Sequence, residues 1–344
     1  MKPIKIFTTL AFLLFFFVAQ ESRAQVRKVD VNGTAVAIPG SINRIADAWP
    51  AHNMVVYMLG YGDRIVATSL NKRMWPWFYK INPAMEKAVT TFAPSGDKSM
   101  EELIKAKPDI VFLTKIHANA EAIRNLGYTV IELSFSDFDG MRKCVLTTGD
   151  VLGEKAKQKA VKYVEYLDSK INKIQQSLAG IPEREKPKVL HITAMSPLTV
   201  SGRNMIMDTW IKLCGGINAA ASIDMSKQVS PEQILVWNPD IIIYAGASTV
   251  ITEQDVLSNP ALNKTKAGKT GRIYLNPKGL FSWDRYSVEE ALQIQWAAQK
   301  FFPERFRGFD IVAETVSFYR EFFDYPLTGR EAEMIIKGIP PDEL

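Results

Sequence analysis

Cysteine and histidine are scarce here, two and three residues in a chain of 344. So few cysteines exclude a disulfide-dense scaffold, and none of His52, His117 and His191 has the spacing of a zinc motif. An oxidising compartment permits a bridge between Cys144 and Cys214; two separate buried thiols fit the sequence equally well. A dense Lys/Arg run is missing. The formal net charge is only +5, of which residues 1–24 supply +2, too mild for a nucleic-acid partner. Gly-rich phosphate loops, zinc motifs and nucleophile elbows are also absent. Ser201-Gly202 has no adjacent histidine, and nothing orders the Ser, His and Asp residues into a triad, so no enzyme motif is legible. An adhesion or envelope-structural protein would need an array of repeats or an exposed β framework, and neither is seen. Beyond residue 24, no segment is apolar enough to span a bilayer.

What the chain does have begins at its start. Lys2 and Lys5 precede an apolar run over residues 10–19, and Ser22-Arg23-Ala24 offers small residues at the −3 and −1 positions of a cut after Ala24. That is the layout of a secretory signal peptide; the run is too short for a spanning helix. No cysteine lies near the cut, so a lipid-modified N-terminal cysteine is not available. A soluble periplasmic protein fits, with its mature N-terminus at Gln25. The remainder, 47% hydrophobic and 23% charged over the full chain, is long enough for two domains.

Short apolar runs alternate with helical patterns. Strands are expected around Ile45, Ile65, residues 109–113 and 129–133, with helical segments at residues 53–59 and 117–126. The pattern returns at residues 188–192, 240–244 and 272–275. Such alternation predicts α/β units with mainly parallel sheets. Between the halves, residues 150–179 hold no proline, and Val151, Ala160, Val164, Leu167, Ile171, Ile174 and Leu178 recur at helical spacing. Gly180-Ile181-Pro182 stops this helix, whose length suggests an interdomain strut. A sharper signal is a repeat. Residues 99–110 and 230–241 share Ser, Glu, Pro, Asp and Ile at one constant offset. Each copy reads as a cap, a short helix, a Pro-Asp break and a buried strand. The expected fold is two Rossmann-like lobes with mainly parallel sheets joined by a single long α-helix. Its segments are a leader at 1–24, lobes at 25–149 and 181–315, a linking helix at 150–180 and a tail at 316–344.

These pieces resemble periplasmic binding proteins for iron-siderophores, haem and cobalamin. The resemblance rests on Arg44-Ile45 before Pro50, the run from Leu59 to Val66, Glu101 before Lys107-Pro108-Asp109, and Leu126-Gly127-Tyr128. In the second half it rests on Ser201-Gly202-Arg203-Asn204, the run from Cys214 to Asn218, Glu232-Gln233 before Asn238-Pro239-Asp240, and Trp283-Asp284-Arg285. Each is weak alone; their order and spacing carry the likeness over nearly the whole mature chain. The family often has Thr-Glu where this chain has Asn53-Met54, in a neighbourhood expected to face the cleft.

Ligands of open α/β sheets sit beyond the carboxyl ends of the strands. Segments that follow the expected strands therefore nominate Trp49, His52, Arg73, Trp75, Trp77, Tyr79 and His117 in the first lobe. In the second they nominate Arg203, Trp283, Arg285 and Tyr286, with Phe281 beside them and residues 246–249 as a further loop. Flat aromatic walls suit a planar or catechol-like ligand, and arginine forks suit an anionic chelate. His52 and His117 are candidates to approach a bound metal, and Tyr79 or Tyr286 to complete a ferric sphere; His191, inside an apolar strand, reads as a core residue. The resemblance implies that the transported ligand is a metal chelate. A ferric siderophore leads, with haem, a corrinoid or a nickel or cobalt chelate as alternatives. It also implies delivery by a monomer to an ABC permease dimer in the inner membrane. Glu101 and Glu232, at matching places in the two lobes, are expected to dock on permease arginines, with Glu102 the alternative if the register slips by one.

Overall fold

The computed structural model describes residues 25–28, 33, 35–92, 98–115, 117–245 and 253–341. The expected leader and the loop at 246–249 lie outside the described residues. A ribbon of β1 (Gln25–Lys28) and β2 (Ala35–Ile38) precedes the first lobe. That lobe holds β3 (Ile45–Asp47), β4 (Ile65–Thr68), β5 (Val89–Thr90), β6 (Ile110–Thr114) and β7 (Thr129–Leu133). They form a parallel sheet in the order β5-β4-β3-β6-β7. The second lobe holds β8 (Lys188–Met195), β9 (Leu198–Ser201), β10 (Ile217–Asn218), β11 (Ser226–Gln228), β12 (Ile241–Tyr244) and β13 (Ile273–Leu275). Their order is β11-β9-β8-β12-β13, with β10 paired to β8. Here β8, β10, β12 and β13 are parallel, while β9 and β11 extend the sheet antiparallel. The central strands are apolar on both faces: β12 reads Ile-Ile-Ile-Tyr and is buried throughout, as helices covering both sides of a sheet require.

The repeat seen in the sequence is a piece of chain mechanics. Both copies form a helix, Lys98–Ala106 and Pro231–Trp237. Each is followed by a residue in the left-handed region, Lys107 and Asn238, both at φ 45°. Proline follows and cannot continue the helix. The next residue, Asp109 or Asp240, ties the lobe together: Asp109 Oδ2 accepts from Arg44 N at 2.9 Å, and Asp240 Oδ2 from Lys188 N at 2.8 Å. The same carboxylate thus aligns the neighbouring central strand in both lobes.

The linking helix begins later than its pattern suggests. Residues 150–152 finish the preceding helix Phe138–Leu152, and Gly153, at φ 114°, breaks the chain where a side chain would be strained. The linker proper is Glu154–Ser177, 24 residues, about 36 Å long. Its stripe of Ala156, Ala160, Tyr163, Leu167, Ile171 and Ile174 is buried. The Tyr163 hydroxyl donates to Val288 O of the second lobe at 2.8 Å.

A boundary at residue 316 would cut through a helix, Ile311–Phe322, and a further helix, Gly329–Ile336, follows it. This region packs back across the molecule onto the first lobe and its linker. Tyr57 Oη donates to Phe323 O at 3.2 Å, and Trp77 Nε1 to Ile339 O at 2.9 Å. Lys80 pairs with Glu331 at 2.9 Å, and Lys159 with Asp324 at 3.0 Å. Two connections therefore bridge the lobes, the linker and the C-terminal helices, and a wide hinge opening would have to break both. Ligand binding is expected to shift the lobes by only about 1 Å. Small-angle scattering checks this, and a fall of several ångströms in radius of gyration on adding ligand would overturn it.

Candidate functional site: an aromatic cleft between the lobes

The carboxyl edges of the parallel strands of the two sheets meet in aromatic contacts. Trp49 follows β3 and Phe135 follows β7; their rings lie 5.3 Å apart. Tyr286 of the second lobe approaches both, at 6.4 Å from Trp49 and 5.7 Å from Phe135. A second contact is closer. Trp75, from the loop after β4, stacks on Phe281 of the second lobe at 4.1 Å with planes 22° apart. Lys278 Nζ stands 4.7 Å from the centre of the Trp75 ring, a cation–π distance.

Trp49 is held from behind. Its amide donates to Asp47 Oδ1 at 3.0 Å, and its carbonyl accepts from Asn53 Nδ2 at 2.9 Å. Asn53 Oδ1 in turn accepts from the Thr68 hydroxyl. Asn53 and Met54 are both fully buried. The positions where this chain departs from the common family pair thus face the core, and the departure alters the support of the cleft rather than its surface.

The second-lobe loop 278–286 is pinned by three buried carboxylates. Asp284 pairs with Arg285, whose Nε lies 2.9 Å from Oδ1 and whose Nη2 meets Oδ2. His191 Nε2 lies 2.9 Å from the same Oδ2, and its Nδ1 is 2.9 Å from Ser201 Oγ. Burial opposes ionisation of Asp284, but Arg285 and His191 outweigh it and hold the carboxyl well below the usual carboxylate range. Glu289 accepts from Leu280 N, Phe281 N, Trp283 Nε1 and Tyr319 Oη at 2.6–3.2 Å. Burial nonetheless pushes its pKa up to about 7. Glu290 accepts from Tyr286 N at 2.7 Å, which fixes a tyrosine at φ 54°, a backbone region costly for a bulky residue.

The charge left over belongs to Lys278. Asp284 offsets Arg285, whereas no described carboxylate lies within ion-pair distance of Lys278 Nζ. Burial, and next the charge of Arg285, lower its pKa. A partly desolvated ammonium beside aromatic rings and an arginine is a place for an anion.

Several expected contacts lie elsewhere. His52 is a core residue, with Nδ1 2.8 Å from Asp47 Oδ2 and Nε2 2.9 Å from Thr148 Oγ1, so both ring nitrogens are spent. Trp77 is buried with its indole bound to Ile339 O. Tyr79 donates its hydroxyl to Leu70 O at 3.1 Å, which uses the group a ferric ion would need. Trp283 is buried against Glu289. Arg203 is exposed and turned to Asp224 at 3.8 Å: β9 runs antiparallel, so the segment after it leaves toward the opposite edge of the sheet. Arg73 is exposed in the turn after β4, and His117 is half-buried with its ring edge-on to Phe92 at 5.9 Å. Burial lowers the pKa of His117. No group of three described His, Cys, Asp or Glu side chains gathers as a metal-holding cluster. Cys144 and Cys214 are separate buried thiols, each with its pKa raised by burial. Trp49, Trp75, Arg285 and Tyr286 are the expected residues that converge. Phe135 and Lys278 join them; neither stands out in the sequence, because a single Phe or Lys after a strand has no signature of its own.

The model of the periplasmic binding protein family matches residues 50–280 of this chain. The chain belongs to that family. This periplasmic binding protein is 27% identical to a periplasmic solute binding protein of Veillonella parvula of known structure. That likeness has a TM-score of 0.79 and covers 91% of this chain and 97% of the other. It is 23% identical to the molybdate-binding protein MolA of Haemophilus influenzae over 84% of this chain and 88% of that one. With the ferric-anguibactin-binding protein FatB of Vibrio anguillarum it shares 27% over 51% of this chain and 58% of the other. Among the described residues no helix is long and apolar enough to cross a membrane. The C-terminal helices that reach back to the first lobe lie beyond the matched region.

Proposed function

We propose that this protein captures an anionic metal chelate, a ferric siderophore first among the candidates, between its lobes and delivers it to an ABC importer in the inner membrane. The observation that carries the reading is Lys278 over the Trp75 ring, with the charge of Arg285 felt beside it, at the interlobe seam where Tyr286 meets Trp49. Aromatic planes take up the flat organic part of a chelate, and the cations answer its negative charge. The relative named for ferric anguibactin supports that class. A second reading, a bare oxyanion, is favoured by the Trp75–Phe281 stack at 4.1 Å, which fills one end of the seam with protein, and by the relative named for molybdate.

The test is a tryptophan-fluorescence and calorimetric titration of the purified mature protein with ferric catecholate and hydroxamate siderophores, haemin, cobalamin and molybdate. Saturable binding of a siderophore supports the proposal, and binding of molybdate alone moves the assignment to the oxyanion. Trp75→Ala is expected to weaken siderophore binding at least about tenfold, or 1.4 kcal/mol. The same change leaves an oxyanion ligand nearly untouched. Unchanged siderophore affinity would show that Trp75 serves only to pack on Phe281.

A further inference from the structure

Among the described residues few large hydrophobic side chains are well exposed, and three of them fall in the two copies of the internal repeat: Ile104, 44% exposed, in the first lobe, with Leu235 and Val236, 38% and 77%, in the second. Ile104 and Leu235 occupy the same place in the repeat, each three residues after its glutamate, Glu101 or Glu232. Residues three apart share a helix face one turn from each other. Both glutamates are exposed. The residue just before each aliphatic, Leu103 or Ile234, is buried at 1% and 0%. The inward-facing match follows from packing each helix on its sheet. The outward-facing match does not, since nothing in a lobe's own core asks for an aliphatic side chain in solvent. Scattered exposed hydrophobics need no explanation; two at one repeat position beside two matched glutamates do.

The topology sets where these points lie. Each helix returns from the carboxyl edge of its sheet to the start of a central strand, β6 or β12. The helices begin on the cleft side of their lobes, so the two glutamates sit at the mouth of the molecule and the aliphatics one turn below. We infer that each lobe presents a two-part plug, a carboxylate and the aliphatic side chain one turn on, for the two subunits of a two-fold symmetric membrane permease. Each permease subunit then supplies a cation next to an apolar recess. This rests on the permease-docking reading of Glu101 and Glu232 and adds its apolar half. The division of labour follows from the physics. Exposed charges steer the encounter and carry its salt dependence, while burial of the aliphatics slows dissociation.

The experiment follows docking of the mature protein to the permease complex of its own bacterium, held in lipid nanodiscs, by surface plasmon resonance. Ile104→Ser with Leu235→Ser is compared with Glu101→Ala with Glu232→Ala. The serine pair alters exposed positions only, and unchanged melting curves confirm its fold. It is expected to dissociate at least tenfold faster, with its association rate and salt dependence kept. The alanine pair is expected to lose association. Should the serine pair dissociate like the wild type while the alanine pair fails to dock, the apolar half is refuted and the docking glutamates stand. If the alanine pair also docks normally, the docking reading falls and this inference with it.

Discussion

Glu289→Ala is expected to destabilise the protein by about 4 kcal/mol or more, each stranded buried donor costing about 1 kcal/mol or more. Four donors converge on that carboxyl: the amides of Leu280 and Phe281, the Trp283 indole and the Tyr319 hydroxyl. Leu280, Trp283 and Tyr319 are fully buried, so solvent does not replace the lost acceptor. The approach is tight: a Cβ on Gly279 would lie 2.0 Å from Glu289 Oε1, which leaves glycine the residue that fits there. The loss spreads to function, because the freed segment carries Phe281 and Lys278, and ligand affinity should fall with stability. Urea unfolding measures the cost, and a loss under about 1 kcal/mol would show that the network is expendable. The pH dependence has a definite sign. Burial raises the folded pKa from an ordinary 4.5 to about 7. The folded state therefore holds this proton more tightly than the unfolded chain does. The stability it contributes is fully present below about 4.5 and is lost as pH rises through about 7. Substitution should accordingly cost more at pH 5 than at pH 8.

The parallel core was legible because strands buried on both faces are continuous apolar runs bounded by Gly, Pro and Asp. Runs such as residues 109–113 and 240–244 leave little choice of element. The antiparallel extension was not: β11 is Ser-Lys-Gln with all three residues exposed, and no apolar pattern marks a strand that buries nothing. The break at Gly153 hid for a different reason. The helical stripe is in phase on both sides of it, and only the left-handed backbone separates the two helices.

The rule that ligands gather at carboxyl edges led to loops that meet between the lobes, but it does not tell which of their side chains face the seam. Trp75 and Trp77 are two residues apart. One faces the other lobe and stacks on Phe281, while the other turns inward to a carbonyl more than 250 positions away. That difference is decided by the C-terminal helices, whose packing across the lobes has no local signal in the sequence around residue 76. His52 likewise follows a strand at the expected edge, yet Asp47 and Thr148 claim both of its nitrogens. Arg285 lies in a nominated loop, where it pairs with its neighbour Asp284. What the sequence did not disclose is that this pair is itself braced by His191, the histidine read as a core residue.

The double change Glu101→Ala with Glu232→Ala is expected to abolish uptake of the ligand in cells while leaving its binding in solution intact. Both carboxylates are exposed and lie in the first turns of matching helices. There a helix dipole favours them only weakly, because both are exposed, too little for their loss to unfold either lobe. Glu232 stays ionised, since its own backbone amide and then the Ser230 hydroxyl hold its pKa below the ordinary value. In the first lobe a neighbour favours Glu101 over Glu102 as the docking carboxylate. Glu102 is engaged by Lys105 at 2.8 Å, whereas no described cation pairs with Glu101, which leaves that carboxylate available to a partner. Losing the charged contact in both lobes removes the steering of the encounter and with it most docking. Each single variant should retain partial uptake, because the other lobe still docks. Uptake of radiolabelled ferric siderophore by cells carrying each variant, set against fluorescence titration of the same purified proteins, decides the matter. Undiminished uptake by the double variant would remove the glutamates from docking, and loss of binding in solution would place them at the cleft instead.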